Sequence, residues 1–174
     1  MLEEQKLREI GVSQFGTLPT TEIGFYEEIR TLCEENTCRL YGTTWACPPA
    51  VGTVAQCKER CLRYQTALVF NAVYPLEDSF DYEGMIEGHA AFKRLCDALY
   101  LLVKEQYSSF LLLSNEGCTR CKSCTYPNHA CRYPEKLFPS LEGYGIQVNR
   151  LAESAGISYC NGENTVTYFG MLLY

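Results

Sequence analysis

The run Cys118-Thr119-Arg120-Cys121-Lys122-Ser123-Cys124, followed by Cys131 after a six-residue gap, constrains this chain more than any other stretch. Three thiols at two-residue intervals can wrap one loop around a single metal centre. A fourth, beyond Pro127, can complete the coordination. The spacing is close to the C-x2-C-x2-C-x3-C-P run by which bacterial ferredoxins hold iron–sulfur clusters, although the last gap is longer and the proline, Pro134, comes three residues after the last cysteine. Zinc sites normally pair two well-separated C-x2-C knuckles, and a run in which Cys121 serves both spacings fits that plan poorly. The segment reads as a metal loop, with an iron–sulfur centre of the [4Fe-4S] type as the expected occupant and zinc as the alternative.

A second constellation lies nearer the amino end: Cys33-x4-Cys38-x8-Cys47-Pro48-Pro49, then Cys57 after nine more residues. Its spacing is irregular. A proline directly after a ligand stiffens the loop and removes a backbone donor, which gives Cys47 weight. These four thiols are candidates for a second centre, with the alternative that two or three are small buried hydrophobes. Cys57 and Cys61 stand one helical turn apart, so either can be the fourth ligand, and Cys57 is preferred. Cys96 falls among Leu95, Leu99 and Leu102 and reads as core packing, while Cys160 has no partner in sequence. His129 lies inside the carboxy-proximal loop and can ligate metal or donate to a cluster sulfur. His89, with polar neighbours, reads as a surface residue.

The chain has 174 residues, 47% of them apolar, enough for one hydrophobic core in a single domain over 1–174. Its 11 cysteines are too many for an ordinary intracellular protein and odd in number, which argues against full disulfide pairing. The opening Met1-Leu-Glu-Glu-Gln-Lys lacks the apolar stretch of a signal peptide, and the longest apolar runs are too short to span a bilayer. A reducing cytoplasm is the expected setting, where clustered thiols mean metal or redox chemistry, with no membrane attachment. The net charge of −6 argues against nucleic acid as a partner, since phosphate binding needs a basic face. Yet Arg120, Lys122, Arg132 and Lys136 crowd the cysteine loop. They form either a solvated rim or a set of cations that balances a thiolate-ligated centre and steers an acidic redox partner.

Periodicity predicts a short amphipathic helix over residues 1–10 and a break at Gly16–Thr21. A second helix is expected from Ile23 to Cys33 with Thr20-Thr21-Glu22 as its cap, then turns through Pro49. A polar helix runs from Thr53 to Tyr64 with Thr53 as cap. Strands are predicted at Thr66–Tyr74, Ser109–Leu113 and Thr165–Leu173, the longest helix at Met85–Tyr107, and a last helix at Ile146–Ala155 stopped by Gly156. The expected class is α/β (α+β), a small central sheet covered by helices with two cysteine-rich metal-binding loops at its end. No Gly-rich phosphate loop and no hydrolytic triad accompanies them.

Taken together, Trp45-Ala46-Cys47-Pro48-Pro49, Gly117-Cys118 through Pro127, Cys131-Arg132-Tyr133-Pro134-Glu135-Lys136, Pro139-Ser140-Leu141-Glu142-Gly143-Tyr144-Gly145-Ile146 and Asn164-Thr165-Val166-Thr167-Tyr168-Phe169-Gly170 resemble a bacterial and archaeal family of cysteine-rich predicted metal-binding proteins, domain of unknown function 2284. The likeness covers nearly the whole chain. It implies metal binding through Cys118, Cys121, Cys124 and Cys131, and through Cys33, Cys38 and Cys47 with Cys57. It implies no particular reaction. The function expected from the residues is an iron–sulfur protein with one or two clusters, exchanging electrons with a partner enzyme. An iron–sulfur reductase or activase with an open iron, and a structural zinc module for protein interaction, are the alternatives.

Overall fold

The computed structural model describes residues 2–115 and 117–174. Its centre is a four-stranded, wholly antiparallel sheet in the order β1-β2-β4-β3, built from β1 (Gln14–Pro19), β2 (Thr66–Pro75), β3 (Leu111–Leu113) and β4 (Thr165–Leu173). The long strands β2 and β4 pair from Ala67↔Leu173 to Pro75↔Thr165. Both are apolar almost throughout because both sheet faces are covered. Successive side chains alternate across a strand, so Ala67 and Val69 face one side while Leu68, Phe70 and Ala72 face the other.

On the Phe70 side lie α1 (Glu4–Glu9) and α4 (Tyr82–Val103), which bring in Leu7, Phe92, Leu95, Cys96, Leu99 and Val103. The spacing of the α4 residues is that of one helix face, and Asp81 caps the helix by accepting from the Gly84 amide at 2.8 Å. The Val69 side is covered by α3 (Val54–Cys61), α5 (Val148–Ser154) and the turn around Tyr144. A capping box starts α3, the Thr53 hydroxyl accepting from Gln56 N while the Gln56 side chain accepts from Thr53 N. Thus the class is α+β, a small sheet covered by helices. No helix among the described residues is long and apolar enough to cross a membrane.

Two local expectations fail. The stretch read as a break, Gly16–Thr21, largely belongs to β1, which pairs with β2 from Gln14↔Asn71 to Pro19↔Thr66. Gly16 is there because the chain passes close by: a Cβ at that position would lie 1.9 Å from the Ala155 carbonyl oxygen at the end of α5. Glycine inside a strand marks such an approach as often as it marks a turn. The second failure is the helix start. Thr20–Glu22 form a single 3-10 turn, the Thr20 hydroxyl donates to Tyr64 O at 2.6 Å, and the helix α2 begins only at Glu27 and ends at Glu34. A threonine hydroxyl spent on another segment cannot cap its own helix. The other elements stand within a few residues of expectation, α1 as Glu4–Glu9 within 1–10, of which residue 1 lies outside the described residues. His89 is half-buried, its ring edge-on to Tyr168 with centroids 5.6 Å apart, and is less exposed than its neighbours suggest.

Gly16→Ala is expected to keep the fold but to cost about 1–3 kcal/mol, the range for overpacking. Chemical denaturation measures it, and an unchanged midpoint would show that the Ala155 carbonyl moves aside freely.

Candidate metal centre

The irregular segment that follows β3 is pinned at its base. Ser114 N donates to Pro139 O at 2.8 Å and Leu141 N donates back to Ser114 O at 3.0 Å. The cysteine-bearing strap therefore leaves the sheet and returns to it at one place. Further hydrogen bonds shape its interior: His129 N to Thr125 O (3.0 Å), the Thr125 hydroxyl to Ala130 O (2.9 Å) and Arg132 Nη1 to Ser123 O (2.9 Å).

Within the strap, Cys118, Cys121, Cys124 and Cys131 all line one small recess. Each is partly exposed, and all four are free thiols. Trp45, Tyr133 and Leu137 form its apolar wall, and Arg120 and Arg132 its basic edge. Among the described residues no three His, Cys, Asp or Glu side chains converge on one point as ligands of a single ion would; the four cysteines are lining residues of one recess. His129 does not line the recess, and enters the structure through its backbone, whose carbonyl accepts from Trp45 Nε1 at 3.2 Å.

That contact matters because Trp45 belongs to the other cysteine stretch. Its ring meets Tyr126 edge-on at 5.0 Å, and Ala46 O accepts from Ser140 N at 3.3 Å. Gly117 packs so tightly on the same stretch that a Cβ there would stand 3.2 Å from Cys47 Sγ and 2.7 Å from the Leu40 side chain. The two cysteine sets are thus neighbours. Cys47 is buried, and burial raises its thiol pKa, opposed by the nearby Thr44 hydroxyl; Cys38 and Cys118 push it further up, and Lys93 pulls it down. Cys33 is pushed up to about 11, first by burial and then by Glu142, with Arg30 opposing and Cys38 and Cys47 adding. Cys33 and Cys47 thus each feel the charge of Cys38, and Cys47 also feels that of Cys118.

Cys57 is placed differently. Both it and Cys61 are fully buried on the core side of α3. The Cys57 sulfur accepts from Arg60 Nη2 at 3.1 Å and Arg30 Nη2 at 3.7 Å, and donates to Val51 O at 3.5 Å. Cys61 beside it is pushed up to about 12, by burial first and by Cys57 second. Cys33, Cys38 and Cys47 influence one another's charge, while Cys57 is turned toward two guanidinium groups. Cys96 is buried with its sulfur 3.5 Å from the Ser114 hydroxyl, and Cys160 is exposed.

Three contributors carry no cysteine pattern and are invisible to motif reading. Arg30, only 8% exposed, donates to Gly52 O at 2.6 Å and to Gly143 O at 2.5 Å, tying α2 to two loops around the thiols. Asp97 on α4 grips Arg120 with both oxygens, at 2.6 and 3.2 Å, while Arg120 Nε donates to Lys136 O at 3.1 Å. Lys93, one turn earlier on α4, donates to the Ser114 hydroxyl and to Asn115 O. The basic residues of the loop are therefore only partly a solvated rim: Arg120 is held in place by a fixed carboxylate.

The model of one family, described as predicted metal-binding protein (DUF2284), matches residues 16–174. The chain belongs to that family. No curated protein matches it in sequence. Among solved structures it is similar to epoxyqueuosine reductase from Streptococcus thermophilus, with 14% identity and a TM-score of 0.43 over 98% of this chain. The chain spans 44% of that protein's length, less than half. A likeness of that degree carries no argument about either fold or activity.

Arg30→Met is expected to destabilise the protein by about 2 kcal/mol or more, since it leaves one buried and one partly buried carbonyl oxygen without their donor. Arg30→Lys should recover little, because one ammonium cannot copy the fork of the guanidinium. Thermal unfolding of both variants checks this.

Proposed function

We propose that this metal-binding family member is an iron–sulfur protein in which Cys118, Cys121, Cys124 and Cys131 hold a [4Fe-4S]-type cluster, used to exchange electrons with a partner protein. The observation that carries the reading is that all four cysteines line one recess. A cubane has irons and sulfides of its own to fill the middle, so its ligands belong around a space and not against one another. Thiolate donors on closely spaced residues suit iron–sulfur ligation, and the backbone amides between them are available to hydrogen-bond the sulfurs. When bound, such a cluster supplies one-electron transfer. The chain's own residues do the rest. Trp45, Tyr133 and Leu137 limit water at the sulfurs, and the Arg120 and Arg132 guanidinium groups offset thiolate charge.

Anaerobic purification with iron and sulfide analysis tests this directly. The expected product is brown, contains iron and labile sulfide in equal amounts and bleaches on reduction; Cys121→Ser and Cys124→Ser lose iron, whereas Cys160→Ser keeps it. A colourless preparation that binds only zinc and has no reducible centre would sink the reading.

The placement of Cys57 favours a second reading for the other thiols, an enzyme with an open iron. Cys33, Cys38 and Cys47 group together while the Cys57 sulfur is taken up by Arg30, Arg60 and Val51. Three thiolates on a cubane leave one iron free for a substrate, the arrangement of a reductase or activase and not of a pure carrier. Under this reading Cys57→Ala retains the full iron content and each of Cys33→Ser, Cys38→Ser and Cys47→Ser loses the second centre. Equal loss of iron in Cys57→Ala would restore the four-thiolate carrier.

A further inference from the structure

Next to the thiol recess, and sharing Cys118 and Arg120 with it, opens a second cavity of about 140 Å³. Its walls come from α4, from the cysteine strap and from the segment that returns to the sheet: Lys93, Asp97, Cys118, Arg120, Lys136 and Phe138. Among the described residues, three cations and one carboxylate thus line a common space in a chain whose net charge is −6. The excess of positive charge runs against the background of the molecule. It is also built and not merely exposed. Asp97 fixes the Arg120 plane with two hydrogen bonds and the Lys136 carbonyl fixes its Nε, which still leaves two guanidinium protons for a further acceptor. The buried Phe138 ring lies 5.4 Å beneath that guanidinium, giving the cavity an apolar floor. Lys93 is steadied by the Ser114 hydroxyl and Asn115 O.

We propose that this cavity binds a small organic oxyanion, a phosphomonoester or carboxylate, and holds it beside Cys118. The chemistry that recognises it is a pre-oriented guanidinium and the Lys136 ammonium for the anionic end, Asp97 for a hydroxyl or amino group, and Phe138 for the carbon skeleton. The cavity itself is read from its own lining, whatever the thiols hold. Only the meaning of the position, a substrate next to a redox centre, rests on the iron–sulfur reading, and it then favours an enzyme over a carrier.

Calorimetric titration with inorganic phosphate and, separately, with succinate tests the cavity, each against sodium chloride at matched ionic strength. Metal content is measured on the same samples, so a failed iron–sulfur reading is recognised by itself. Saturable binding of phosphate or succinate beyond the chloride control is expected, and whichever binds tighter identifies the anionic group. Lys136→Ala should weaken it about fivefold or more, as loss of a charge-assisted hydrogen bond does. Lys122→Ala removes a cation that is exposed on the same loop but outside the cavity, and should leave affinity unchanged. Lack of saturable heat for both anions, or equal weakening by Lys122→Ala and Lys136→Ala, would overturn the proposal, the latter by showing a diffuse surface potential.

Discussion

Two backbone hydrogen bonds at Ser114 govern everything that happens at the thiols. They join the end of β3 to the residues just before the 3-10 turn at Tyr144, and so make the intervening strap a closed loop on a rigid base. A flexible loop of that length would sample many arrangements of its four cysteines, and ordering them would cost chain entropy at the moment of metal binding. Closure at the base removes much of that cost in advance. Ser140 carries the effect further: its amide donates to Ala46 O and its hydroxyl accepts from Gly143 N at 3.0 Å, so one residue holds the strap, the Cys47 stretch and the Tyr144 turn together. The fixed sheet thereby positions irregular backbone that has little regular structure of its own.

How far the chain could be read in advance depended on whether the decisive partner was near or far. The Thr53 cap of α3 and the strand Thr165–Leu173 were legible because their signals are local: a capping pair three residues apart, and a run of β-branched and aromatic residues. Gly16 was misread because the reason for it, the Ala155 carbonyl, lies far along the chain at the end of α5. Thr20 was misread in the same way, since Tyr64 O claims its hydroxyl. At the site, the spacing of Cys118, Cys121 and Cys124 announced a shared loop. Nothing local announced that Gly117 abuts Cys47, or that Trp45 reaches the backbone of His129. Helical spacing put Cys57 and Cys61 on one face, and they do share one, but spacing cannot say that this face looks into the core.

Helix α4 links the two halves of the molecule. Phe92, Leu95, Cys96, Leu99 and Val103 seat it on the sheet, while Lys93 and Asp97, four residues apart and so stacked on one side, reach the cysteine strap. The same turn that buries Cys96 against Ser114 presents Lys93 to that serine. Core packing and site electrostatics are consequently one problem: a shift of the helix along the sheet would move the Arg120 guanidinium, which Asp97 holds by two bonds. An ion pair this exposed, with side chains 24% and 38% accessible, adds little to global stability. Its worth is directional. A single carboxylate on a long, well-seated helix converts a mobile arginine into a fixed donor beside Cys118, and that fixity is what a site asks of a cation that must sit in one place whether the thiols are loaded or empty.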